Sequence, residues 1–291
     1  MSETKRVAFV VNPNSGSKRG VDIIALISKN LSDKTPYDIL VWEHANNFEY
    51  IRQQITSGKY SIVVAVGGDG TVNAVAKNLI NTGIALGIIP RGSGNGLARS
   101  LGIPMNTMEA IKRIESGTIR TIDNGLINGK AFFCTAGIGF DAQIGSLFAG
   151  NKKRGLYSYV QISIKQFFSY KPKEYTIQLN DDTIKIKAFL LTFANAGQYG
   201  NDFYIAPEAK MDDGLLHLVI LKPINLLSVC YLIVKVLSRK AHQSKNILTF
   251  TSKNIKVKNS ATIAIHFDGE PDQIENEIEV SINPASLKVL C

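Results

Sequence analysis

The stretch VVAVGGDGTVNAVAKNL, Val63 to Leu79, decides the reading of the chain. A β-branched run, Val63 to Val66, stops at Gly67-Gly68-Asp69-Gly70-Thr71, and a helical pattern follows at once. A glycine-rich turn between a buried strand and a helix is an anion-binding geometry, because bare backbone and helix N-terminal amides approach the ligand closely. The carboxylate of Asp69 in the middle of such a turn is then unexpected, since it repels phosphate. Three roles are open for it: holding a cation, orienting an acceptor, or bracing the turn.

The flanking sequence repeats the pattern. Apolar runs at 7–11, 37–42, 61–66 and 84–90 read as strands. Helical stripes fit 18–31, 46–57, the segment after Thr71 to about 81, 94–101 and 107–116. Continuous apolar strands joined by helical crossovers predict a parallel sheet covered on both faces. Two more turns lie at predicted strand ends: Asn12-Pro13-Asn14-Ser15-Gly16, and Pro90 to Arg99, PRGSGNGLAR. In an open α/β sheet the strand C-termini form the ligand-binding rim. One such turn is as well explained by helix capping. Three on one rim favour phosphate, with Ser15, Thr71 and Ser93 as hydroxyl donors and Thr71 also capping its helix.

Past about Arg120 the period changes. Short segments such as AFFCTA, TIKIKAFLLTFANA, LLHLVIL, KNIKVK, ATIAIHFDG, IEVSI and LKVL predict antiparallel strands, with helices at 154–168 and 224–240. This part reads as a β-sandwich or barrel. The domains are therefore set at 1–122 and 123–291, with the C-terminal tail free to return to the first.

The chain has 291 residues, 45% hydrophobic and 20% charged, with three scattered cysteines and four histidines. No C-x-x-C or H-E-x-x-H spacing occurs, so a disulfide framework and a zinc site are not expected. The longest apolar run, 226–237, is too short to span a bilayer. A cytoplasmic protein is expected. The net charge is +9, and its distribution is uneven. Ala142–Lys173 holds six bases, several aromatics and no acid; Lys235–Lys258 holds seven bases and no acid. Such surfaces suit an anionic membrane, and no nucleic-acid recognition module is legible.

No G-x-x-x-x-G-K-[ST] occurs, which removes the P-loop NTPases. Gly137-Ile138-Gly139-Phe140-Asp141-Ala142 matches G-x-G-x-x-A but reads as a turn in the β-rich part. Two acidic motifs stand out there: Asp212-Asp213-Gly214, and Asp268-Gly269-Glu270. Asp-Gly is a common hairpin turn. Acids at strand ends also suit proton acceptance and magnesium binding.

Taken in order, NPNSG, VGGDGTVNAV, PRGSGNGLARSLGIP, DDGLL and DGEP closely resemble the diacylglycerol kinase catalytic family, which includes bacterial soluble lipid kinases, sphingosine kinases and ceramide kinases. The resemblance covers about Lys5 to Leu290. It implies an N-terminal α/β domain like those of NAD kinases and phosphofructokinases, a C-terminal β-sandwich, and an active site in the cleft between them. It implies ATP and magnesium as cofactors. Asn12, Pro13, Asn14, Ser15 and Gly16, then Gly67, Gly68, Asp69, Gly70, Thr71 and Asn73, then Ser93, Gly94 and Asn95 would contact the nucleotide. Glu270, with Asp268 and Asp69, would be catalytic, Glu270 as proton acceptor. A structural magnesium would sit on the Asp213 carboxylate and the carbonyls of Lys210 and Leu215. The partners implied are ATP, a membrane lipid and an anionic membrane surface; a homodimer is left open. The expected localisation is cytoplasmic and peripherally membrane-associated.

G-S-G-N-G-L-A departs from the diacylglycerol kinase form G-T-x-N-D-[LF]-A and is closer to the sphingosine and ceramide kinase branch, so the lipid is not set by the motif. Trp42 or Glu43 stands where the family often has a nucleotide-contacting Thr. A kinase of a soluble metabolite, or a nucleotide-binding regulator without catalysis, are the alternatives.

Overall fold

The computed structural model describes residues 6–13, 22–43, 47–149, 161–162, 165–180, 182–258, 262–275 and 277–291. The chain divides into two compact units, Met1–Ile122 with Ala285–Cys291, and Asp123–Pro284.

In the first unit β1 (Val7–Val11), β2 (Tyr37–Val41), β3 (Ile62–Gly67) and β4 (Ala85–Pro90) form a parallel sheet in the order β2-β1-β3-β4. β1, β3 and β4 are buried along their whole lengths, which explains their unbroken apolar sequence. The crossovers contain α1 (Ile23–Asn30), α2 (Phe48–Ile55) and α3 (Asp69–Leu79); α4 (Gly96–Ser100) and α5 (Thr107–Ser116) follow β4. Phe9, Ile27, Val64, Ile89, Ile111 and Leu290 meet in one core.

α1 starts later than its apolar stripe suggests. Asp22 caps it, its Oδ1 accepting from Ile24 N at 3.0 Å and Ala25 N at 3.1 Å. The first part of the expected helix, 18–21, lies outside the described residues.

The second unit is a β-sandwich. One antiparallel sheet has the order β12 (Ile247–Ser252), β11 (Leu216–Leu221), β10 (Leu190–Ala194), β7 (Thr135–Gly139), β14 (Ile263–Phe267), β15 (Glu270–Ile274). The other pairs β9 (Asp182–Ala188) with β8 (Lys173–Leu179), β8 with β13 (Asn254–Lys258), and β13 with residues 278–281 of β16 (Ile278–Leu290). β13 alternates, with Ile255 and Val257 buried between exposed neighbours. Phe132, Ile138, Ile177, Phe193, Leu218 and Ile265 fill the space between the sheets.

Several local expectations are corrected. AFFCTA is not one strand: β6 (Lys130–Phe132), which pairs with β5 (Ile119–Ile127), ends before β7 begins at Thr135, because the amides at the break bond to a side chain instead of a neighbouring strand. TIKIKAFLLTFANA is likewise divided, into β9 and β10. The G-x-G-x-x-A segment is no turn, for β7 runs through Gly139 directly into α6 (Phe140–Ala149). IEVSI and LKVL belong to the single strand β16, whose residues 288 and 289 pair in parallel with Ala85 and Leu86 of β4. The helix expected at 154–168 falls mostly outside the described residues, while that at 224–240 is α7 (Leu226–Leu237).

Candidate functional site

Three strand ends of the first unit converge. β1 leads into Asn12, whose N–H donates to Val66 O at 3.2 Å and whose Nδ2 donates to Thr71 Oγ1 at 3.2 Å. Arg91 N donates to Gly67 O at 2.8 Å, so the turns after β3 and β4 are joined backbone to backbone. The glycines make this approach feasible. A Cβ on Gly92 would sit 2.7 Å from Gly68 Cα, and one on Gly67 would sit 2.5 Å from Thr71 Cβ.

Thr71 does not cap α3; Gly68 occupies that position and Thr71 lies in the first turn, buried, with Oγ1 accepting from Asn12. Its hydroxyl proton can still be donated. Asn73 is only 3% exposed, and its Nδ2 finds no acceptor among the described residues. A buried amide without an acceptor is costly. Together with the glycine-lined turns and the first-turn amides of α3, it fits a site completed by an anionic ligand. Asn14, Ser15 and Gly16 lie outside the described residues. Ser93 is exposed, with no hydrogen bond to a described residue. Trp42 packs against Phe48, the two rings tilted by 40°.

Asp69 braces the turn after β4. Its Oδ2 accepts from Asn95 N at 2.9 Å and its Oδ1 from Gly96 N at 2.7 Å. Asn95, in the left-handed region at φ +51°, closes the same turn. Its Oδ1 accepts from Gly92 N at 2.9 Å and its Nδ2 donates to Gly92 O at 2.8 Å. Arg99 Nε donates to Gly94 O at 3.1 Å. A Cβ on Gly94 would lie 2.8 Å from Asp69 Oδ2. The acid in the middle of the phosphate-type turn is thus turned onto two amides of the next one.

In the second unit, β14 and β15 form a hairpin with Phe267 opposite Glu270. Asp268 (φ +51°) and Gly269 (φ +86°) are its two-residue turn, the backbone that Asp-Gly favours. Asp268 also faces inward. Its Oδ2 accepts from Phe133 N at 2.9 Å, and its Oδ1 from Cys134 N at 2.7 Å and Thr135 N at 3.0 Å. Burial pushes this carboxyl above its usual range, and the three amides and His266 pull the other way. Glu270, two residues on, is exposed, and its carboxylate makes no hydrogen bond or ion pair with a described residue. Neighbouring acids of one motif therefore differ: one is consumed by backbone, the other is available.

The Asp212-Asp213-Gly214 turn is exposed at both acids. Asp213 Oδ1 accepts from Leu215 N at 3.0 Å, and Asp123 Oδ2 accepts from Gly214 N at 2.7 Å. Among the described residues no three His, Cys, Asp or Glu side chains gather as a metal site. The Asp213 carboxylate and the Lys210 and Leu215 carbonyls named by the resemblance would give a hard cation fewer than the roughly six oxygens it takes, so water would have to complete the shell.

A polar cluster that the motifs do not signal lies on the face of the β7–β10–β14 sheet turned away from the sandwich core and toward α6. Asp141 Oδ2 lies 3.2 Å from His266 Nε2 and accepts from Tyr199 OH at 3.2 Å; Tyr199 in turn bonds Thr192 Oγ1. Asp141 stood inside the quoted G-x-G-x-x-A segment, and Gly137 leaves it room, since a Cβ there would be 2.6 Å from Asp141 Oδ2. Burial pushes the nearby Tyr170 hydroxyl up to about 12.

Of the two basic windows, the first is described only in part. Phe167 and Tyr170 pack on Phe140 and Phe189, and Lys152, Lys153, Arg154, Tyr157 and Tyr159 lie outside the described residues. Lys256 pairs with Glu279 at 2.6 Å. Among the described residues no helix is long and apolar enough to cross a membrane.

Comparison with known proteins agrees with this layout. Residues 6–127 match the family model for the diacylglycerol kinase catalytic domain, and residues 134–291 match that for the YegS C-terminal NAD kinase β-sandwich-like domain. A probable lipid kinase YegS-like protein of Chromohalobacter salexigens is 29% identical over 85% of this chain and 81% of its own. A diacylglycerol kinase of Bacillus subtilis is 26% identical over 91% of this chain and 90% of its own. The crystal structure of a putative diacylglycerol kinase from Bacillus anthracis shares the fold, with a TM-score of 0.79 at 20% identity, over 99% of this chain and 97% of that one.

Proposed function

The chain belongs to the diacylglycerol kinase family of lipid kinases, its second unit being the YegS-type β-sandwich, and from that premise we propose that it transfers the terminal phosphate of ATP to a hydroxyl of a membrane lipid. The observation that carries the reading is the free carboxylate of Glu270, beside an Asp268 already bonded to three amides.

Phosphoryl transfer asks the protein mainly for positioning, charge neutralisation and a proton acceptor. The glycine turns after β3 and β4, the Thr71 hydroxyl and the Asn73 amide would hold the phosphates; Asn12 would orient Thr71. Magnesium, when bound, supplies charge neutralisation at the phosphate oxygens. A second, structural magnesium would use Asp213 and the Lys210 and Leu215 carbonyls. Asp69 would set the shape of the cradle. Glu270 would accept the hydroxyl proton as the new bond forms; an alcohol is a weak acid, so this matters late in the reaction. Asp268 would hold the hairpin that presents Glu270. The acceptor is a diacylglycerol-like or a sphingoid- or ceramide-like lipid, reached at an anionic membrane surface.

The test is Glu270→Gln with labelled ATP, magnesium and a lipid panel in mixed micelles. Turnover is expected to fall ~100-fold or more while ATP affinity holds. Wild-type turnover in the variant would remove Glu270 from the acceptor role. Transfer only to soluble metabolites, or ATP binding without any transfer, would replace the lipid reading.

A further inference from the structure

α7 is apolar on nearly every side, LLSVCYLIVKVL, yet only Leu232 and Val236 of its residues are buried. A helix apolar all round is ordinarily enclosed by protein or lipid. Here Leu226, Leu227, Tyr231, Ile233, Val234 and Leu237 are exposed, Leu227 to 82%, Val234 to 63% and Tyr231 to 57%. They are six of the twelve exposed large hydrophobic side chains among the described residues. At 3.6 residues per turn they fall on one arc of about 160°, and no charged residue interrupts it. Cys230 lies within that arc and is also exposed. The half-buried flank carries Ser228 and Lys235. Asn225 caps the helix, its Oδ1 accepting from Ser228 N at 2.9 Å, so the segment is a formed helix rather than a frayed apolar strand.

The surroundings say what covers this face. From Gly214 to Phe267 the sequence contains no Asp or Glu. Lys222 precedes α7, Lys235 sits in its last turn, and Arg239, Lys240 and Lys245 follow. The last three are exposed. Lys235 Nζ lies over the Tyr231 ring, 5.1 Å from its centroid, and donates to Gln243 O at 3.2 Å. A broad apolar face with bases at its margin and a tyrosine at the edge is the pattern of a helix lying in a lipid interface, with its bases at head-group level. A second copy of the chain would bring the same uncompensated bases against each other.

We propose that α7 lies in the plane of an anionic bilayer and inserts its Leu227–Tyr231–Val234 face among the acyl chains, with Arg239, Lys240 and Lys245 on the head groups. This rests on the lipid-kinase reading only for the reason that a membrane is approached. The twelve-residue helix is roughly 18 Å long, enough to lie along the interface and too short to cross it.

The test uses the full chain with Cys291→Ser, leaving Cys230 as the accessible thiol because Cys134 is buried. Cys230 is labelled with nitrobenzoxadiazole. Vesicles are phosphatidylcholine alone or mixed with phosphatidylglycerol, and spin-labelled acyl chains serve as quenchers. The expected result is a blue shift and quenching with the phosphatidylglycerol vesicles, weakened by salt. Partitioning is expected to fall ~10-fold or more in Leu227→Ser/Val234→Ser, whose sites are exposed and spare the core. Vesicle binding with the label still in water would overturn the proposal, as would unchanged partitioning of the double variant. A shift that grows with protein concentration without vesicles would assign the face to a second copy. Phosphorylation of a diacylglycerol, sphingoid-base and ceramide panel in detergent micelles separates the two readings. Absence of transfer to every lipid of that panel in both proteins, alongside an inserted label, would overturn the kinase reading and leave the docking face standing.

Discussion

Asp69 and Asp268 solve the same problem in different units: a loop whose amides have no strand or helix to bond. Asp69 takes two amides of the turn after β4, and Asp268 takes three at the break between β6 and β7. Leaving one buried amide unsatisfied costs roughly 1–3 kcal/mol. Asp69→Asn keeps the shape but sets an amide NH2 against a backbone N–H. ATP affinity and the thermal midpoint are therefore expected to fall together, by roughly 1–3 kcal/mol in stability, read by nucleotide titration and thermal unfolding. A loss of turnover alone would move Asp69 into the chemistry. The motif drew attention to Asp69, but its role was not legible, because an acid in a glycine turn has the same sequence whether it faces a cation or the next loop.

At the scale of elements, the apolar runs located β1, β3 and β4 well, and the caps corrected the helices, as Asp22 does for α1. β2 is the edge strand of the first sheet, and its Asp38 holds it to its neighbours. Arg6 donates to both carboxylate oxygens at 2.9 and 2.7 Å, Tyr60 OH donates at 2.8 Å, and Lys59 lies at 3.2 Å. The Arg6 hydrogen bonds above all hold the Asp38 carboxyl well below its ordinary value of 3.8. The ionised form thus favours folding. Its contribution is complete above the unfolded value and is lost as pH falls through the folded one. Asp38→Asn is expected to lower stability by ~1 kcal/mol or less at pH 7, because the site is partly solvated. Urea midpoints of variant and parent should then converge as pH falls below 3.8. A gap that stays constant to low pH would mean that charge is not the cause.

At the scale of the whole molecule, the chain enters the second unit after Ile122 and leaves it after Pro284. The last residues then complete the first unit's sheet beside β4, with Leu290 in its core at 4% exposure. Leu290→Ala is expected to cost about 2–5 kcal/mol. Nucleotide binding in the first unit should be lost at a lower temperature than in the parent. An unchanged midpoint would mean that the tail is not part of that core. By itself the sequence determined the α/β and β-sandwich character, the family and the glycine turns after β3 and β4, because hydrophobic period and turn chemistry are local. Only the tertiary structure decided which acids are braces and which is free. The partners of Asp69 are 26 and 27 residues away, and those of Asp268 are 133 to 135 away. No local pattern carries such pairings, because a carboxylate's role is set by the amides that folding brings to it.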